Sequence, residues 1–233
     1  MKLSIIIPVY NEELTLLEIL KKINAIKLNK EIIIVNDGSN DNTKKILKTL
    51  SKNFYKKIIH HKKNYGKGAA IISGRKHISG DIVIIQDADL EYDPKDYKKL
   101  INPIIKKEYK VAYGSRVLKK SRYHNSKNFI SLTRIFFNHF LTTLSNIINN
   151  QNLTDAHTCY KVFLKEVFLK LELKEKGFAF CPEVNSRISR LNLQIKEVPI
   201  NYLGRSKNEG KKINVLDGFC AIYALVKYGL LKI

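Results

Sequence analysis

Short apolar runs and segments of helical periodicity alternate along the first half of this chain. Leu3–Val9, Glu31–Asn36, Lys57–His60, Asp81–Gln86 and Lys110–Ser115 read as strands. Between them lie helical patterns at Glu12–Ile26 (through Leu14, Leu17, Ile19, Leu20 and Ile23), Asn42–Leu50, Gly68–Ile78 and Pro94–Lys106. Ser39 or Asp41 is placed to cap the second helix. Asp93 is placed to cap the fourth, which Pro94 opens. Alternation of this kind predicts an α/β architecture: a mostly parallel central sheet with helices on both faces.

The pattern changes after Ser115. A basic stretch (Arg116, Lys119, Lys120, Arg122, Lys127) leads into a long helix, Asn128–Asn149. Strand Thr158–Phe163, helix Pro182–Leu191 and strand Gln194–Pro199 follow. A polar loop, Leu203–Lys212, precedes a final amphipathic helix, Asn214–Leu230. These elements are expected to extend the same sheet and wall a substrate cleft, so that residues 1–233 form a single domain.

The strand Asp81–Gln86 carries the most chemistry. Its apolar run, Ile82 to Ile85, is followed by Asp87 and Asp89. On an extended chain an i, i+2 spacing points both side chains to one side. A carboxylate pair outside the end of a parallel strand is suited to a divalent cation and a ligand phosphate. The first strand ends Pro8-Val9-Tyr10-Asn11-Glu12-Glu13 and has no glycine in its turn. That excludes a GxGxxG dinucleotide site; a rigid proline, a ring and acceptor side chains suit a nucleobase or ribose better. Asn11 is equally placed to cap the first helix. Asp37, in Asn36-Asp37-Gly38-Ser39, can bond a base N–H or a ribose hydroxyl, or simply form an Asp-Gly turn. The segment Asn64-Tyr65-Gly66-Lys67-Gly68 offers backbone N–H groups to an anion but lacks P-loop spacing. Its alternative is a helix start that packs closely on the sheet.

The formal net charge of +21 sharpens the choice of partners. Such a field draws nucleic acid, anionic lipid or phosphorylated substrates. The chain is also rich in Lys, Ile and Asn throughout, so a compositional bias that spreads lysines over solvated faces is the alternative. A nucleic-acid-binding protein would explain the charge but not the carboxylate pair, and no recognition motif of that class is present. Cys159, Cys181 and Cys220 are an odd, scattered set, which argues against a disulfide framework or a zinc site and fits a reducing compartment. No signal peptide is expected, and no run of about 18 apolar residues predicts a membrane span. Phe129, Phe136, Phe137 and Phe140 on the long helix are read as core, with a helix dipping into a membrane interface as the alternative.

Taken in order, Pro-Val-Tyr-Asn-Glu-Glu, Asn-Asp-Gly-Ser, Asn-x-Gly-Lys-Gly and Asp-Ala-Asp resemble the family-2 glycosyltransferases of GT-A (nucleotide-diphospho-sugar transferase) fold. The later segments Asp155–Phe163, Gly177–Val184, Glu197–Tyr202, Gly204–Ser206, Glu209–Ile213 and Asp217-Gly218 are similar to polyprenyl-phosphate sugar synthases of the dolichyl-phosphate mannose synthase type. The resemblance spans about residues 3 to 228. It implies a nucleotide-sugar-binding half, 1–115, and an acceptor-binding half, 116–233. It implies nucleotide binding at Pro8, Tyr10, Glu12 and Asp37, and a metal and diphosphate pair at Asp87 and Asp89. It further implies phosphate-binding or catalytic roles for Asp89, Arg116, Arg205 and Lys207. The family often has Gln two residues after the second aspartate; this chain has Glu91, an added charge at the metal.

The implied reaction is metal-dependent (Mg²⁺ or Mn²⁺) and inverting. It moves a sugar from a GDP- or UDP-linked donor to a polyprenyl phosphate at an anionic membrane surface. The expected place is the cytoplasmic face of the membrane, with a membrane-protein partner or a homo-oligomer left open and no nucleic acid. The alternative within the family is transfer to a glycan hydroxyl, which needs a base; Asp155 and Glu183 are the candidates, each with a structural role as its competitor. His139 and His157, lone histidines, are read as structural.

Overall fold

A computed structural model describes residues 1–118, 129–205 and 215–233. Its strands are β1 (Leu3–Val9), β2 (Lys30–Asn36), β3 (Lys57–His60), β4 (Ile82–Ile85), β5 (Val111–Ser115), β6 (Lys161–Leu164) and β7 (Ile195–Pro199). They form one sheet in the order β3-β2-β1-β4-β6-β5-β7. β1 lies parallel to both β2 and β4, with Leu3 opposite Lys30 and Ile82. β6 runs antiparallel to β4 and β5, while β7 is parallel to β5. The expected sheet is therefore present, and the second half of the chain does extend it.

The helices are α1 (Leu16–Ala25), α2 (Thr43–Thr49), α3 (Lys67–Arg75), α4 (Tyr97–Ile105), α5 (Phe129–Asn149), α6 (Lys165–Lys170), α7 (Phe180–Arg190) and α8 (Val215–Ala224). A π-helical turn, Leu225–Leu230, continues α8. Strand alternation sorts the core into two layers. Leu3, Ile5, Ile7 and Val9 of β1 pack with Leu16, Ile19 and Leu20 of α1 and Leu100 of α4. Ile6, from the other face of β1, packs with Ile71 of α3, Phe168 of α6 and Val184 of α7. α5 and the π-helical turn pack on α7. Among the described residues no helix is long and apolar enough to cross a membrane.

Several boundaries differ from the sequence reading for local reasons. α1 starts at Leu16, not Glu12, because Glu12 and Glu13 are tied to the neighbouring turn; Leu16 is buried, whereas Leu14 and Leu17 are exposed. α3 ends at Arg75, and β6 starts at Lys161, three residues later than expected. Pro94–Asp96 forms a 3₁₀ turn before α4, and Asp93 caps it by accepting from the Lys95 N–H at 2.9 Å. The largest departure is α5. Phe136, Phe137 and Phe140 are not core; they face outward, while Thr142, Ser145 and Asn149 are buried against the domain.

At the N-terminal ends of the strands a buried carboxylate closes the sheet. Glu31 accepts from Ser4 Oγ (2.6 Å) and from the Ser79 N–H and hydroxyl (2.5 Å each), and pairs with Lys2 (2.6 Å) and Lys56 (3.0 Å). Burial works against its charge, but these donors outweigh it and hold its carboxyl well below the usual range.

Candidate active site

The opposite ends of β1, β2 and β4 open on one edge, as parallel strands must, and their turns are stapled together. The Asn11 N–H donates to Ser39 Oγ at 3.0 Å, and the Asn40 N–H donates to Asn11 Oδ1 at 3.0 Å. The Glu12 N–H donates to Thr43 Oγ1 and the Glu13 N–H to Asp41 Oδ2. Asn11 has a positive φ of 51° and does not cap α1. Neither sequence-proposed residue is the N-cap of α2, which is Asn42; Asp41 Oδ1 does accept from the Thr43 N–H just inside it. Pro8 lies beside Val35, one residue before the end of β1, and Tyr10 follows the strand, half-buried.

Asp37, buried beyond β2, organises the next turn. It accepts from the Tyr65 N–H (2.9 Å), the Gly66 N–H (2.7 Å) and His61 Nδ1 (2.7 Å). Gly66 has φ 100°, and a Cβ there would strike the Lys176 carbonyl, so only glycine serves. This geometry delivers Lys67, the first residue of α3, into the crevice. Its ammonium lies 2.5 Å from Asp87 Oδ1 and donates to Cys159 Sγ at 2.9 Å. Burial opposes the Lys67 charge, but Asp87 outweighs it and holds the ammonium protonated well above its ordinary range.

The acidic pair is positioned from behind by Gln86. That buried amide donates to the Asp87 carbonyl at 2.9 Å, while its oxygen accepts from Tyr97 (2.7 Å) and Tyr160 (2.6 Å). Asp89 faces Arg205 at 3.3 Å, and Arg205 also grips both oxygens of Glu12 at 3.1 Å. Burial pushes Asp89 up to about 7, helped by the neighbouring charges of Asp87 and Glu91 and opposed by Arg205. Glu91 lies beside Asp89: its N–H donates to Asp89 Oδ1 at 3.1 Å, and its carboxylate accepts from Tyr202 Oη (3.0 Å) and the Arg205 N–H (2.7 Å). Among the described residues no group of three or more His, Cys, Asp or Glu side chains is arranged to hold a metal ion. The crowding of negative charge at Asp89 does fit a divalent cation, and the carboxylate oxygens are hard donors of the right kind.

Arg116, expected to grip phosphate, is engaged by Asp155. Two guanidinium N–H groups donate to the carboxylate at 2.7 Å each, and the Arg116 backbone N–H adds a third bond at 3.1 Å. The guanidinium also lies 5.1 Å from the Tyr202 ring centre. Burial of Asp155 would raise its pKa, but Arg116 reverses that and holds it below the ordinary value. Glu183 is equally occupied, accepting from the Lys174 and Glu175 N–H groups, and burial pushes its pKa up. Of the histidines, His139 is exposed on α5; His157 is held neutral, pushed down to about 4 chiefly by burial and then by Lys161. Lys207 lies outside the described residues. Lys67, Gln86 and Tyr202 are the site residues that sequence reasoning missed. For Lys67 the available signal was a lysine between two glycines at a helix start.

The glycosyl transferase family 2 profile matches residues 4–171. The chain belongs to this family. As a family-2 glycosyltransferase it is similar to a dolichol-phosphate mannosyltransferase of Pyrococcus furiosus, 34% identical over 98% of this chain and 64% of the relative. The chain thus spans under two thirds of that relative's length. It is also similar to a UDP-N-acetylglucosamine–dolichyl-phosphate N-acetylglucosaminyltransferase of Methanococcus voltae, 30% identical over 98% of this chain and 96% of the relative. Among solved structures, glucosyl-3-phosphoglycerate synthase of Mycobacterium tuberculosis, crystallised with Mn²⁺, UDP and glucosyl-3-phosphoglycerate, aligns with a TM-score of 0.70 at 17% identity, covering 98% of this chain and 80% of that one. At that identity the likeness concerns the fold, and it bears out the expected GT-A class.

Proposed function

We propose that this glycosyltransferase moves a sugar from a nucleoside-diphosphate sugar to a polyprenyl phosphate, with inversion at the anomeric carbon. The observation that carries the reading is the charge layout past β4: Asp87 and Asp89, faced by Lys67 on one side and Arg205 on the other. This arrangement suits a diphosphate and its counter-ion. Pro8, Tyr10, Glu12 and Asp37 line the nucleoside end in this proposal. Asp87 and Asp89, with Glu91 behind them, would hold Mg²⁺ or Mn²⁺, which supplies Lewis-acid stabilisation of the leaving diphosphate. Crystals of the M. tuberculosis fold relative contain Mn²⁺ or Mg²⁺ together with UDP, which supports a divalent cation here.

In the reaction an acceptor phosphate oxygen forms a bond to the anomeric carbon. The bond from that carbon to the β-phosphate oxygen breaks, and the nucleoside diphosphate leaves. A phosphate acceptor is already anionic and needs no base; it needs cations that keep two anions close. In this reading Lys67 and Arg205 serve the donor phosphates, and Arg116 and Lys207 the acceptor. Transfer to a glycan hydroxyl would need a base. Both candidates, Asp155 and Glu183, are instead held in ion pairs and backbone hydrogen bonds, which favours the phosphate acceptor. The dolichyl-phosphate substrates in the names of both relatives point the same way. That acceptor calls for a peripheral position at a membrane, and the cytoplasmic face is the side assigned in this proposal.

The test is a screen of GDP- and UDP-sugars against a short, water-soluble polyprenyl phosphate with Mg²⁺ or Mn²⁺. The reading expects a sugar phosphopolyprenol of inverted anomeric configuration. Product formed only on a non-phosphorylated glycan would overturn the acceptor assignment.

A further inference from the structure

Glu91 makes three hydrogen bonds to one short segment of the second half of the chain. Its two carboxylate oxygens accept from Tyr202 Oη at 3.0 Å and from the Arg205 N–H at 2.7 Å, and its carbonyl accepts from the Leu203 N–H at 3.0 Å. On the other side its own N–H donates to Asp89 Oδ1 at 3.1 Å. Leu90, between Asp89 and Glu91, has φ 65°. A leucine keeps that left-handed conformation only where its surroundings fix it. The segment is tied upstream as well: the Asn201 N–H donates to Asp96 Oδ2 at 2.7 Å, and Tyr202 bridges to Tyr92. At its far end the Arg205 guanidinium reaches both oxygens of Glu12 at 3.1 Å and Asp89 at 3.3 Å.

We propose that Glu91 is a positioning residue: it clasps residues 202–205 to the turn after β4, and through that clasp sets Arg205 over the donor site. It stands behind the metal pair and does not ligate the cation. A carboxylate suits this task because its two oxygens meet two donors at once. An amide has one acceptor oxygen and would turn its NH₂ group against the second donor. The Arg205 N–H, a backbone donor, cannot reverse its role to match. Charge alone would give Glu91 the opposite effect on binding. A carboxylate near a bound diphosphate repels it, so its removal would tighten binding. A clasp requires that removal loosen binding, because Arg205 is then no longer held in place. The inference rests on the proposed function for its ligand, a nucleoside diphosphate. The clasp itself is a property of the ligand-free chain.

The test has one arm without nucleotide and one with it, both on the full chain, and thermal melts establish that each variant is folded. Amide hydrogen exchange of the peptide containing Leu203–Arg205 is compared in the parent, in Glu91→Ala and in Tyr202→Phe, which keeps the ring beside Arg116. Exchange should quicken at least threefold in both variants; a smaller change overturns the clasp, whatever the enzyme binds. Should Glu91→Ala fail to fold, Tyr202→Phe decides. Binding of Mn²⁺ alone, read by electron paramagnetic resonance, should weaken less than fivefold in Glu91→Ala. A larger loss would make Glu91 a metal ligand and overturn the proposal. Calorimetry then measures GDP and UDP binding with Mn²⁺ in the parent, Glu91→Ala, Arg205→Met and the double variant. Glu91→Ala should weaken binding at least fivefold in the parent and less than twofold in the Arg205→Met background, since Glu91 acts through Arg205. A smaller loss or tighter binding in Glu91→Ala overturns the inference, as does a loss of twofold or more in the Arg205→Met background. A parent that binds neither nucleotide counts against the proposed function instead, and the exchange result still decides the clasp.

Discussion

Replacing Asp155 by Asn separates a structural anchor from a catalytic base. Asp155 is 1% exposed and receives three hydrogen bonds from Arg116, at 2.7, 2.7 and 3.1 Å. Asparagine keeps the shape but turns one acceptor oxygen into a donor facing the guanidinium. It also leaves a largely buried Arg116 without its counter-charge. Breaking one partner of such a pair costs roughly 3–5 kcal/mol. For a domain of this size that is a drop in melting temperature on the order of 10 °C. Urea unfolding of Asp155→Asn, Arg116→Met and the double variant gives the coupling directly, and a value of about 3 kcal/mol is expected. A base would behave differently. Its removal would leave stability within about 1 kcal/mol of the parent, in the range of ordinary surface changes, while turnover collapsed. That second pattern would refute both the anchoring role and the argument against a hydroxyl acceptor.

Gln86→Leu orphans the buried hydroxyls of Tyr97 and Tyr160 and releases the Asp87 carbonyl; a loss of about 3 kcal/mol in urea unfolding is expected, and less than 1 would contradict it. Gly66→Ala places a Cβ against the Lys176 carbonyl at φ 100°, so nucleoside-diphosphate binding by calorimetry should weaken together with a stability loss of about 2 kcal/mol. Glu31 has a depressed folded-state pKa, so its contribution is complete above the unfolded value of about 4 and disappears as pH falls through the folded value. The stability difference between wild type and Glu31→Gln should therefore shrink from pH 6 to pH 2 in urea titrations; a constant difference would contradict the sign.

Much of this architecture was legible along the chain because its strands are apolar runs bounded by turn residues. Ile82–Ile85, buried on both faces, could only be an inner strand, and its trailing aspartates had to emerge at the sheet edge. The direction of β6 was not legible, since a four-residue run reads the same both ways and the connection decides. α6, six residues long, is too short to show a helical period. The pairings of the site escaped for a related reason. Lys67 and Asp87, or Arg116 and Asp155, meet through sheet register and loop packing, and no local spacing encodes either contact. On α5 the exposed side holds Phe136, Phe137 and Phe140, and the buried side holds Thr142, Ser145 and Asn149. Assigning the phenylalanines to the core was the natural inference and the wrong one: the polar side is the one turned inward, where Asn185 of α7 donates to Ser145 Oγ and Ser189 to the Asn149 carbonyl.

The most direct test of the site is anomalous diffraction from a crystal of this chain grown with Mn²⁺ and a nucleoside diphosphate. The account predicts a manganese peak roughly 2.1 Å from a carboxylate oxygen of Asp87 or Asp89, as hard-cation coordination requires, with the diphosphate between Lys67 and Arg205. A diphosphate bound elsewhere, or bound there with manganese absent from that pair, would contradict it.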